Sequence, residues 1–109
     1  MVERHRRAID DAHRLAVMAA QERAESIRQQ ISAANTVLVL ANTEFEQGRV
    51  RQADALLDRM RDVGKKIRSH LGEPKHVPRT EAAELLATLE HMESRIRSLA
   101  NRINALMRR

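Results

Sequence analysis

From Ala82 onward, apolar residues recur at alternating intervals of three and four: Ala82, Leu85, Leu89, Met92, Ile96, Leu99, Ile103 and Leu106. With about 3.6 residues per helical turn, this spacing lays them along one helix face, and no proline or glycine interrupts it. A stripe of that length has to be covered by other helices. The same code runs through Val50, Ala53, Leu57, Met60, Gly64, Ile67 and Leu71, and through Ile27, Ile31, Ala34, Leu38, Ala41 and Phe45. The pattern predicts three helices, at about 3–46, 50–71 and 81–107. Gly48 is the expected left-handed terminator of the first. The second break is the linker 72–80, in which Gly72 caps a helix, Pro74 and Pro78 stiffen the connection, and Thr80 is the expected N-cap, with Glu81 and Glu84 at the positive end of the dipole.

These elements predict a single all-α domain, an antiparallel, coiled-coil-like bundle of three long helices. Composition agrees: one aromatic residue, three glycines and two prolines in 109 residues are too few for a sheet protein. Beside the third stripe, one flank reads Leu86, Glu93, Ala100, Met107 and the other Thr88, Arg95, Arg102, Arg109. The apolar members widen the stripe to what a globular bundle needs, and a parallel zipper would lack acids to face the arginines, so a shared three-helix core is preferred. Gly64 falls on the second seam, which predicts close approach of a neighbouring backbone. Ala34-Asn35-Thr36 recurs as Ala41-Asn42-Thr43 one heptad later and is read as register. The uncharged stretch Gln29–Thr43 is read as a buried core helix.

The N-terminal half of the first helix is different in kind. Its inner face is Ile9, Ala12, Ala16, Ala19, Ala20 and Ala24, with Leu15, Val17 and Met18 alongside. Small side chains permit close packing but bury little area. At 1.5 Å per residue the first helix extends roughly 65 Å and the second about 33 Å, so a hairpin leaves some twenty residues uncovered. Either a second chain covers them or the helix bends beneath the third. The first alternative is preferred, which makes Ile9, Ala12, Ala16, Ala19, Ala20 and Ala24 the expected self-association face of a homodimer.

Around Gly48, the segment LANTEFEQGRVRQADALLDRM carries Leu40, Ala41, Gly48, Val50, Ala53 and Leu57 at the spacing of the small and large packing positions of a tetratricopeptide unit. It resembles one such helical hairpin over about a fifth of the chain. It departs from the pattern at Glu44, where a large aromatic is usual and Phe45 stands one place on, and at Met60, where a small residue is expected. The resemblance implies protein binding through helical surfaces. An ordinary antiparallel helix pair accounts for the same residues.

Charge adds a second theme. The net charge is +5, and the 20 basic residues comprise 17 arginines and three lysines. Arginine is the better bidentate ligand for phosphate and carboxylate, and Arg95, Arg97, Arg102, Arg108 and Arg109 follow Glu93 with no intervening acid, so they are the candidate patch for an acidic partner. Aromatic platforms for stacking bases are missing, and low-specificity nucleic-acid binding is therefore the second reading. Chemistry is poorly supported. Asp10 and His13 stand one turn apart without the companion carboxylates of a di-metal bundle, His70 and His76 flank the linker singly, and no HExxH, phosphate loop or serine elbow occurs. No catalytic residue, cofactor or metal is expected. Without cysteine or a run of roughly 20 apolar residues, the chain reads as cytoplasmic and not membrane-spanning. The expected function is that of a non-enzymatic protein-protein interaction module.

Overall fold

A computed structural model describes residues 2–73 and 76–108, so Pro74 and Arg109, each given a part above, lie outside the described residues. Three helices follow in order: α1 (Val2–Glu46), α2 (Val50–Gly72) and α3 (Arg79–Met107), with no strand among the described residues. All three pack on one another as an all-α bundle. Asn35 faces Arg95 and Asn42 faces Arg102, both 60 residues apart, so α1 and α3 run parallel with α2 reversed between them.

The α1–α2 corner works as the sequence implies. Gly48 takes φ +82°, a conformation that side chains with a Cβ resist. Its N–H donates to the Phe45 carbonyl at 3.0 Å and that of Arg49 to the Glu44 carbonyl at 2.9 Å, so the last carbonyls of α1 are satisfied at the turn. The other boundary differs from expectation. Gly72 is the last residue of α2 and needs no positive φ, because the chain leaves through extended Glu73 (φ −79°, ψ 124°). Pro78, not Thr80, holds the N-cap position of α3: its φ of −54° and ψ of 138° are non-helical, yet its carbonyl accepts the first helical bond from Ala82 N–H at 2.8 Å. Helix therefore begins at Arg79, and Thr80 is an exposed residue of the first turn.

The core consists of the three stripes. Ile27, Ile31, Ala34, Leu38 and Ala41 of α1 meet Ala53, Leu57, Met60 and Ile67 of α2, and Leu85, Leu89, Met92, Ile96, Leu99 and Ile103 of α3. Among the described residues no polar or charged side chain is buried with them. Gln29–Thr43 is not a buried helix throughout. Its inner residues are covered, but Val39 and Leu40 are 56% and 51% exposed. On that outer side the Thr36 and Thr43 hydroxyls donate back to the Ser32 and Val39 carbonyls, at 3.2 and 3.1 Å. The absence of charge there marks an uncharged surface, since a bundle of three helices covers only one side of each.

Gly64 is buried on the α2 seam as predicted, but its neighbours are not backbone. A Cβ built there would meet the Met92 Cε at 3.6 Å and the Leu89 Cδ1 at 4.0 Å, both ordinary contacts with side-chain ends. The glycine thus leaves room for a methyl group and little more.

Unequal helix length shapes the remainder. α2 has 23 residues, and running back from the corner it ends about level with residue 24 of α1. With the 60-residue offset, the start of α3 at Arg79 stands about level with residue 19. α1 does not bend to compensate: it is one continuous helix of 45 residues in a molecule 75 Å long and 17 × 16 Å across. Residues 2–19, about 27 Å of helix, project beyond the bundle.

The environment of Gly64 separates two substitutions. Gly64→Ala is expected to raise the thermal midpoint, adding up to about 1 kcal/mol from helix propensity, whereas Gly64→Leu is expected to lower stability by about 1–3 kcal/mol through overpacking against Met92. Urea denaturation of the two variants checks this pair of opposite signs.

Candidate functional site

Among the described residues, the projecting segment holds half of the large apolar side chains that are left uncovered, the others being Val39 and Leu40 on the outer side of α1 and Leu106 and Met107 at the end of α3. Ile9 is 56% and Leu15 65% exposed, and Val17 and Met18 are exposed beside them. Of the residues expected to self-associate, Ile9, Ala12 and Ala16 are exposed and Ala19 is half-buried. Ala20 and Ala24 are not available: they are buried within their own chain. The cause is the start of α3, about level with residue 19, together with the path of the linker. Val77 is buried in the same core, and Arg23 Nε donates to the His76 carbonyl, which draws the linker across this part of α1. The spacing of the alanines does not reveal that cover, because it gives no sign of how far along α1 the neighbouring segments reach.

Each residue advances about 100° around a helix, which sorts the projection into two sides. Ala8, Ile9, Ala12, Leu15, Ala16 and Ala19 fall within about a third of the circumference, and Arg7, Asp10, Asp11 and Arg14 fall on the other side, with Val17 and Met18 among them. The direction of the apolar side is set by the bundle. Arg28, Asn35 and Asn42 mark the side of α1 that faces α3, through Glu81, Arg95 and Arg102. The apolar side of the projection lies away from that line, in the direction of the half-buried Val37, where α2 packs farther along the helix. The legible signal is the 4-3-4 spacing of Ala8, Ala12, Leu15 and Ala19.

The five arginines expected to form one acidic-partner patch do not lie together. Arg95 Nη1 donates to Asn35 Oδ1 at 3.1 Å and Arg102 Nη1 to Asn42 Oδ1 at 3.2 Å. The Arg102 guanidinium also lies over the Phe45 ring, 4.8 Å from its centroid. The repeated Ala-Asn-Thr is therefore a pair of rungs tying α1 to α3. Arg97 and Arg108 are exposed but point about 160° and about 140° away from Arg95 around the helix axis. Arg97 lines a shallow groove with Met60, Arg61, Gly64, Lys65 and Glu93 on the α2 side, where Arg68 pairs with Glu93. That hydrogen bond raises the Arg68 pKa above its ordinary value. At the corner, Arg49 embraces the Glu44 carboxylate with both Nε and Nη2, and the hydrogen bond holds the Glu44 carboxyl below the ordinary glutamate value.

Catalytic geometry is equally sparse. His70 and His76 stack with ring centroids 5.2 Å apart, and His76 Nδ1 is 3.3 Å from a Glu73 carboxylate oxygen. Asp10 and His13 are exposed on the projection. Among the described residues no group of three or more His, Cys, Asp and Glu is placed to hold a metal ion. Nor is any described helix long and apolar enough to cross a membrane. In the α1–α2 hairpin Ala41, Ala53 and Leu57 are buried, while Leu40 faces outward. No family model matches the chain, and no curated protein or solved structure matches it.

Two expectations follow for these surface contacts. Arg102→Ala removes both a rung and the contact with Phe45, so it is expected to cost about 1 kcal/mol, against within about 0.5 kcal/mol for Arg97→Ala. Equilibrium denaturation of the two variants measures the difference. The Glu44 carboxyl has a folded pKa below the unfolded one, so its contribution is complete above the unfolded value and is lost as pH falls through the folded value. A carboxyl NMR titration is expected to show Glu44 protonating below the ordinary glutamate value, and Arg49→Gln to return it toward that value.

Proposed function

We propose that this chain is a non-enzymatic, cytoplasmic protein-protein interaction module that works through helix-helix contact and associates with itself as a homodimer. The observation that carries the reading is the projection of α1 past both neighbours, with Ile9 and Leu15 exposed on its apolar side. An amphipathic helix of this kind is stabilised chiefly by packing its apolar face, and here α2 and α3 both stop short of Ile9 and Leu15, which are exposed. The roles that suit such a module are those of an adaptor, a small chaperone, a regulator that occupies a partner, or an assembly component.

Nucleic-acid binding is the weaker reading. Neutralising several phosphates at once calls for cations along one face, and here two of the arginines are tied into rungs while Arg97 and Arg108 lie on the other flank of α3.

Sedimentation equilibrium tests the proposal. The wild-type chain is expected to be a dimer at micromolar concentration. Ala12→Glu with Leu15→Glu is expected to yield a monomer with helical circular dichroism retained, since both positions are exposed in the single chain and carboxylates in an apolar contact cost several kcal/mol per dimer. A monomeric wild type sinks the reading. Tight binding of duplex DNA or RNA near 0.1 M salt, weakening steeply as salt rises, would put the nucleic-acid reading in its place.

A further inference from the structure

Of the five arginines expected to bind an acidic partner, two stand together. Arg95 and Arg102 lie seven residues apart on the side of α3 that faces α1. Arg28, Arg49, Arg61 and Arg68 each meet a carboxylate, but Arg95 and Arg102 meet the neutral amides of Asn35 and Asn42, and neither forms an ion pair with a described residue. Each amide takes up one of five guanidinium N–H groups, so it holds the fork in place without neutralising it. The Phe45 ring under Arg102 adds to that positioning.

The neighbouring part of α1 adds no competing charge, since Gln29–Thr43 contains no ionisable residue. Acids stand at the ends of the seam: Glu84 lines one end, and Glu46 accepts from Asn42 Nδ2 at 3.3 Å at the other. Between the two arginines the surface is apolar. A cleft there has buried Leu38 and Leu99 in its floor and Val39, 56% exposed, at its rim. A second cleft, with Ile31 and Leu85 in its floor, lies across the Arg95–Asn35 rung. Ile31 and Leu38 are seven residues apart, about 10 Å along α1, the interval at which a helix laid along the seam presents one of its faces.

These features select an acidic helix. Its apolar side chains fill the two clefts, as a fourth helix fills the seam between two others in a bundle, and its carboxylates meet the two forks in charge-assisted hydrogen bonds. A second copy of this chain is the wrong sign: it carries +5 overall, and the acids of its projection, Glu3, Asp10 and Asp11, are interleaved with Arg4, Arg6, Arg7 and Arg14. Two cations are also too few to follow a phosphate backbone.

We infer that the α1–α3 seam is the docking groove for an acidic amphipathic helix of a partner protein, whose carboxylates one heptad apart pair with Arg95 and Arg102 while its apolar side chains enter the two clefts. The inference rests on the protein-interaction reading given above and not on its homodimer, because a different face carries it.

Fluorescence anisotropy tests it with a labelled three-heptad helical peptide that has leucine along one face and glutamate at one flanking position of each heptad. A twin peptide carries lysine in place of glutamate. The acidic peptide is expected to bind the wild-type chain at micromolar concentration and the lysine twin not to bind. Arg95→Gln with Arg102→Gln is expected to weaken binding about tenfold, whereas Arg97→Gln with Arg108→Gln, which removes the same charge from the other flank, leaves it within about twofold. Val39→Glu keeps both rungs and puts a carboxylate at the rim of the cleft, and it is expected to weaken binding as much as loss of the two arginines, with helical circular dichroism retained. No binding to the wild type, or an equal loss in the two arginine pairs, would overturn the inference. Tighter binding of duplex DNA than of the peptide, through the same two arginines, would give the surface to nucleic acid. A wild-type dimer that becomes a monomer on Arg95→Gln with Arg102→Gln would give it to a second copy. Sedimentation of the wild type separates the two readings: a dimer that ignores the peptide overturns this inference alone, and a monomer that binds it overturns the homodimer alone.

Discussion

Three apolar stripes close on one another along a common axis, and the rest of the molecule depends on that contact. Each helix contributes a single face, so apart from Val77 of the linker and Ala100 on a flank of α3 the buried residues sit at positions dictated by the 3-4 alternation, and no described polar side chain shares the interior. Such burial stabilises strongly but carries no direction. Geometry is supplied at the margins instead: by the glycine turn at Gly48, by the Arg23 contact with the linker, and by pairs such as Arg68 with Glu93. The apolar interior makes a bundle, and these peripheral contacts select which one.

Because the stripes must overlap to be buried, the shortest helix determines how much of the longest is covered. α2 and α3 end near the same level of α1, so the imbalance falls entirely on one end of one helix. The N-terminal segment changes composition at about that point, from Ile and Leu in the core to Ala with occasional large residues. That change suits a contact with close helix approach and modest area, made and broken more readily than a core.

Much of this architecture was legible in the residues. Periodicity placed all three helices within about two residues of their ends and identified the seam positions, including Gly64 and the left-handed Gly48. The failures share one cause. Spacing gives the angle of a side chain around its own helix, but not which neighbour stands at that angle. Arg95 and Arg97 read as one patch until α1 and α2 are seen on opposite flanks of α3. Ala20 and Ala24 read as continuous with Ala12 and Ala16 until the start of α3 and the linker are seen at their level. The N-cap at Pro78 was missed for a different reason, since a cap defined by backbone angles needs no polar side chain.

The paired rungs between α1 and α3 have a consequence for alignment. They repeat at the heptad interval, so sliding α3 by seven residues, about 10 Å, would bring Arg95 opposite Asn42 and would also carry it toward Phe45 in place of Arg102. The apolar stripe would tolerate the same displacement, with Ile96 in place of Ile103 and Leu89 in place of Ile96. A periodic ladder thus offers several nearly equivalent notches and cannot by itself choose between them. The choice falls to the short segment between Gly72 and Arg79, whose length holds the start of α3 beside Arg23 and so acts as the stop that makes one notch the native one.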